Sequence, residues 1–292
     1  MDFFELLKGN PALFLATVGL VGLMVGSFLN VVIHRLPIML ERSWRRECRA
    51  FLELEPIGEP EENYNLVVPR SRCPQCAKPI AAGENIPVIS YLLLRGRCSG
   101  CGTRISLRYP AVELLTTLVS VAVAWRFGCT SQAALALPLS WCLISLTFID
   151  IDRQLLPDLI TLPMLWVGLF LSLFGIFTDS TASILGAIFG YSSLWSVYQL
   201  FKLATGKEGM GHGDFKLLAL LGAWLGWDKL PAVILLSSLV GASIGLAMVV
   251  GLRHDRRVPI PFGPYLAIAG WIALLWGDEI NAAYLGFAGL AR

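Results

Sequence analysis

Apolar residues in this chain gather in long runs separated by short polar links. A helix needs roughly 17 to 25 mostly apolar residues to cross the hydrocarbon core of a bilayer. Eight runs approach that length: about 11–33, 110–127, 132–151, 159–177, 181–203, 215–227, 230–252 and 262–277. The sixth is short and the eighth is near the lower limit. The pattern predicts an all-α polytopic membrane protein with about eight transmembrane helices. The first run is too long for a signal-peptide core, and Asp2 and Glu5 precede it where a basic region would stand. No small-residue cleavage site follows it, so residues 1–33 read as a retained first anchor.

Composition sharpens this picture. Of 292 residues, 55% are hydrophobic and only 15% charged, against about a quarter charged in a soluble domain. A net charge of +2 makes no case for a nucleic-acid partner. The placement of the charges is more telling. Residues 34–109, between the first two runs, carry 12 of the 23 Lys and Arg, and the links around 152–158, 202–213 and 252–261 carry six more. Basic residues accumulate on the cytoplasmic side. The insert and these links are therefore expected in the cytoplasm, with both termini facing out. The expected organisation is an anchor (1–33), a cytoplasmic insert (34–109) and a seven-helix membrane domain (110–292).

Within the insert, the stretch beginning at Arg42 mixes basic and acidic clusters and suits an amphipathic surface helix. Residues 56–65, rich in Pro, Gly and Glu, read as a loop. CPQC (73–76) and CSGC (98–101) follow, two C-x-x-C pairs 21 residues apart. Each pair can form a tight knuckle whose thiolates face one ion, so Cys73, Cys76, Cys98 and Cys101 are expected to bind Zn2+. The reducing side argues against disulfides. A small insert poor in apolar residues needs such a staple. Cys48, Cys129 and Cys142 have no paired spacing and read as ordinary cysteines.

Ionisable groups in or beside membrane spans suggest function. The third run ends in FIDIDRQLLPD, with Asp150, Asp152 and Asp158; the sixth opens with GHGDFK, with Asp214 and Lys216. The Lys and Arg distribution alone puts both clusters at cytoplasmic helix ends, so carboxylates from two helices meet at one depth. Two such groups can share a proton and activate a water. A proton-coupled transporter would hold its acids nearer mid-membrane, and a docking scaffold leaves the paired acids unexplained. No Ser-His or Cys-His arrangement, H-E-x-x-H or Walker loop competes. Asp152 lies on a different helix face from Asp150. Asp158 is placed to cap the fourth helix, and His212 reads as a loop histidine. Lys216 either snorkels to the interface or tunes the acids. Glu113, a turn inside the second span, either pairs with an arginine of the insert or helps bind a substrate.

These residues together resemble a known family. The G-x-G-D of GHGD (211–214), the D-x6-P-D from Asp150 to Asp158, the two C-x-x-C pairs, GSFLNVVIHRLP (26–37), RYPAVE (108–113) and PFGPYLA (261–267) are similar, in this order, to the type IV prepilin peptidases. These are membrane aspartyl proteases, and the likeness covers nearly the whole chain. It implies a bifunctional enzyme of the bacterial inner membrane, embedded in lipid. Such an enzyme removes the short basic leader of prepilins and type II secretion pseudopilins at the cytoplasmic face, then methylates the new N-terminal residue with S-adenosylmethionine. It implies Asp150 and Asp214 as the catalytic pair, with Gly211 and Gly213 letting the backbone turn sharply and approach a peptide. Four cysteines are typical of the methylating members. No glycine-rich fingerprint marks a Rossmann-type donor site, so no residue is assigned to S-adenosylmethionine.

Overall fold

A computed structural model describes residues 3–54, 64–251 and 261–287. Residues 56–63 of the expected loop and residues 252–260 of the basic link lie outside the described residues. Everything regular among the described residues is helical, apart from two isolated β-bridges in the cysteine-bearing segment. The chain divides into two compact units, Met1–Trp141 and Cys142–Arg292.

The first unit holds α1 (Phe3–Gly9), α2 (Pro11–Phe51), a 3-10 turn (Ala82–Asn85), the short α3 (Ile89–Leu93), α4 (Arg108–Phe127) and the start of α5 (Ser131–Arg153). The Asn10 side chain accepts a hydrogen bond from Leu13 N at 3.1 Å, and Pro11 follows in the first turn. This is a strong helix start. α2 then runs for 41 residues, about 60 Å at 1.5 Å per residue. It passes well beyond the predicted end at residue 33, through the amphipathic stretch of the insert. Helix α2 lies against α4 at small residues. A Cβ on Gly26 would sit 2.7 Å from the Cα of Glu113, so only glycine permits that approach.

The second unit holds the end of α5, then α6 (Asp158–Ser172), α7 (Ser180–Thr205), α8 (His212–Leu225), a 3-10 turn (Trp227–Lys229), α9 (Leu230–Gly251) and α10 (Gly263–Phe287). All eight predicted runs reappear as helices. Five helical segments are long and apolar enough to cross a membrane: Pro11–Phe51, Arg108–Phe127, Ser131–Arg153, Ser180–Thr205 and Trp227–Ala247. The short sixth run has a physical explanation. α8 has only 14 residues, and every residue from Leu217 to Leu225 is buried. A helix apolar all round belongs inside other helices. Its surround is fixed by polar ties: Ser183 Oγ donates to Ala223 O at 2.6 Å, and Trp224 Nε1 donates to Met164 O at 2.7 Å. Gly186 of α7 and Gly222 of α8 bring the two backbones into direct contact.

Candidate functional site

Asp150, in the last turn of α5, is 5% exposed, and Asp214, in the first turn of α8, is 7% exposed. Asp152, two residues along α5, is exposed. The helical register thus buries one of the two neighbouring acids and turns the other out. Asp150 and Asp214 interact electrostatically.

A glycine backbone N–H stands beside each carboxylate. Gly263, at the start of α10, donates to Asp150 Oδ2 at 3.1 Å. The backbone N–H of Gly211, the N-cap of α8, acts electrostatically on the Asp214 carboxylate, and Asp214 N donates to Gly211 O at 3.2 Å. Leu156, in the link between α5 and α6, packs against both sides of the site. A Cβ on Gly213 would lie 2.8 Å from Leu156 Cβ, and one on Gly263 would lie 3.2 Å from Leu156 Cδ2. Neither Gly211 nor Gly213 has a positive φ. Neither glycine therefore uses the left-handed conformation that glycine alone favours, and at Gly213 the demand is for space. Nothing in residue type marks Gly263 or Leu156 as site residues, although they fall within PFGPYLA (261–267) and D-x6-P-D (150–158). Backbone N–H groups and apolar wedges leave no signature in residue type.

Asp158 opens α6, yet its side chain does not cap that helix. It receives Lys216 Nζ on both oxygens, at 2.8 and 2.7 Å, across 58 residues of sequence. This pair ties the first turn of α6 to the first turn of α8, two residues beyond Asp214, and accounts for Lys216. His212 is exposed at the start of α8, with its ring 5.3 Å from that of Tyr198 and 5.5 Å from that of Phe215.

The four predicted cysteines converge in the first unit. Their sulfurs all lie within 4.8 Å of one another, with Cys73–Cys101 at 3.8 Å and Cys76–Cys98 at 3.9 Å. A tetrahedral ion with metal–sulfur bonds of about 2.3 Å has sulfur–sulfur edges of about 3.8 Å, so the donors fit a metal. They are far too separated for disulfides, whose sulfurs bond at about 2.05 Å.

The two halves repeat one another. Cys73 N donates to Lys78 O and Ala77 N to Cys73 O; Cys98 N donates to Thr103 O and Gly102 N to Cys98 O, all at 2.9 Å. Ala77 and Gly102, at equivalent places, both have positive φ, 57° and 70°. Backbone N–H groups of Cys76 and Gln75 lower the Cys73 thiol pKa, and the hydroxyl and N–H of Thr103 bring Cys101 down to about 6. Lys78 Nζ joins the halves by donating to Ser99 Oγ at 2.7 Å and to Glu84 Oε1 at 3.2 Å. Ser99 Oγ also donates to Glu84, and these bonds, the Ser99 one foremost, hold the Glu84 carboxyl down at about 2. Cys48 is exposed, and Cys129 and Cys142 are half-buried, outside the cluster.

Glu113 pairs with a backbone N–H rather than with an arginine. It is buried, and its Oε2 accepts the backbone N–H of Val88 at 2.8 Å.

The bacterial peptidase A24 N-terminal domain matches residues 20–127, and the type IV leader peptidase family matches residues 137–246. The chain is 57% identical to the prepilin leader peptidase/N-methyltransferase of Pseudomonas aeruginosa, over 99% of both chains. It is 59% identical to the protein of the same name from Aeromonas hydrophila, over 96% of this chain and 97% of that one. The corresponding Dichelobacter nodosus protein is 50% identical over 96% and 97%. No solved structure matches. A likeness of this extent, running through both compact units and both sets of site residues, makes the chain a member of the type IV leader peptidase family, peptidase A24.

Proposed function

We propose that this protein is an aspartyl endopeptidase that removes the short basic leader of type IV prepilins and type II secretion pseudopilins, and an N-methyltransferase that methylates the new N-terminal residue with S-adenosylmethionine. The observation that carries the first activity is the buried, electrostatically interacting pair Asp150 and Asp214, with Asp150 restrained by the Gly263 N–H. Two carboxylates sharing one proton divide the work of peptide hydrolysis. One takes a proton from water as the water attacks the scissile carbonyl. The other donates a hydrogen bond to that carbonyl, and the proton then passes to the leaving amine.

The Lys and Arg distribution supports a multi-pass inner-membrane protein with both termini periplasmic and the acids at the cytoplasmic face. A basic leader stays on that side of the membrane and is attracted by carboxylates there. Cys73, Cys76, Cys98 and Cys101 would hold Zn2+, which when bound locks the two knuckles of a segment with little apolar core.

Purified protein mixed with a prepilin, with and without S-adenosylmethionine, gives a product mass that reads cleavage and methylation separately. Asp150→Ala and Asp214→Ala should each abolish cleavage. Full cleavage by either variant rules out the aspartyl mechanism.

A further inference from the structure

The two activities have one obvious set of catalytic side chains between them. Asp150 and Asp214 both belong to the second unit, while the other family match falls within the first. In the first unit, the buried charged side chains among the described residues are Arg35 and Glu113. Arg35 is committed to structure, donating to Asn65 O at 2.9 Å and Pro69 O at 2.7 Å. Glu113 is the buried group left without a task.

Its surroundings are unusual. The N–H that Glu113 receives belongs to Val88, whose φ of 59° and ψ of −47° put a β-branched residue in the left-handed half of conformational space. Ile89 N closes a three-residue turn onto Pro87 O around it. Such a turn is strained, and a β-branched residue at positive φ is a rare outlier. Strain of this kind persists where the surroundings impose it, and it gathers at functional sites. Ser27 on α2 lies within hydrogen-bonding reach of the same carboxylate.

Resting on the bifunctional reading above, we infer that Glu113 is a catalytic residue of methyl transfer, and that its carboxylate receives the α-amino group of the cleaved pilin. An α-amine has a pKa of about 7.7 to 8 and is largely protonated at neutral pH, whereas only the free amine attacks a methyl group. The amine nitrogen forms a bond to the methyl carbon as the carbon–sulfur bond of the sulfonium donor breaks. The electron pair of that bond goes to sulfur, leaving a neutral thioether. The proton that must leave the α-ammonium before this attack is taken by the Glu113 carboxylate, and the product departs as a secondary ammonium. The Val88 N–H occupies Oε2 and fixes the side chain for that role.

Glu113→Gln in the full-length protein separates this from a structural role, because glutamine still offers an oxygen to Val88 N. Cleavage should stay within about twofold of wild type, while methylation falls about 100-fold or more, the scale of a lost proton-transfer group. A second readout is equilibrium binding of a synthetic mature pilin N-terminus. Wild type should prefer the free-amine peptide to its N-acetylated form by about tenfold, as for a hydrogen bond to a charged group, and Glu113→Gln should lose that preference. Methylation near wild-type rate, a retained amine preference, or loss of cleavage together with methylation would each overturn the inference. Wild-type protein that neither cleaves nor methylates would instead overturn the proposed function itself.

Discussion

The backbone N–H of Gly263 donates to Asp150 Oδ2 at 3.1 Å, and a Cβ built on Gly263 would stand 2.6 Å from that same oxygen. The hydrogen bond thus requires a residue with no side chain. Gly263→Ala should push the Asp150 carboxylate aside while leaving the rest of α10 in place. Displacements of about 1 Å in a catalytic group cost on the order of 100-fold in rate. Cleavage kinetics should show that loss in kcat with little change in KM. An unchanged kcat would mean that the Gly263 N–H does not position Asp150.

Asp158 and Lys216 form a different kind of contact. Both are partly exposed, at 51% and 31%, and exposed ion pairs contribute about 0.2–1 kcal/mol. Asp158→Ala and Lys216→Ala should therefore each reduce cleavage by less than about tenfold, far from the collapse expected at Asp150 or Asp214. The charge-exchanged double variant, Asp158→Lys with Lys216→Asp, should recover most of the loss. If it is no better than the single variants, the pair does not set the start of α8.

Much of this site was legible in the chain, and what escaped has a common cause. Eight apolar runs foretold eight helices, because a long apolar run can satisfy its backbone hydrogen bonds within itself only as a helix. Five helical segments are long and apolar enough to cross a membrane. The paired cysteines were equally plain, since metal geometry dictates both residue type and local spacing. By contrast, the end of α2 was misplaced by 18 residues. Apolar periodicity ceases near residue 33, but the Arg, Glu and Leu that follow are good helix formers. The Gly263 and Asp150 contact spans 113 residues and uses a backbone donor, so no residue pattern announces it. Val88 is similar, because a β-branched residue gives no hint in sequence of a positive φ.

Thiol chemistry gives a prediction with a definite sign. In metal-stripped protein, the Cys101 pKa lies at about 6 and the Cys76 pKa at about 11, against an ordinary value of 9.0. The thiolate is the reactive form. As pH rises, Cys101 should be alkylated first, with a midpoint near pH 6, and Cys76 should lag above pH 9. Because the Cys101 pKa is depressed, whatever stability its thiolate adds is present above pH 9 and lost as pH falls through about 6. Zn2+ should protect all four cysteines, and peptide mass mapping after timed alkylation reads each site. Equal labelling rates with and without Zn2+ would end the tetracysteine assignment.

Gly186 and Gly222 hold α7 and α8 in backbone contact, so that a Cβ on either would overlap the other's carbonyl. Overpacking of a close interface costs about 1–3 kcal/mol. Gly222→Ala should lower the unfolding midpoint accordingly. It should also reduce cleavage, since α8 carries Asp214 and is buried from Leu217 to Leu225. The same change should leave zinc content intact, because the four cysteines belong to the first unit. Zinc content, unfolding midpoint and cleavage measured on one preparation test all three expectations. A variant with native stability and full cleavage would show that this helix contact has slack, and that Asp214 does not depend on it.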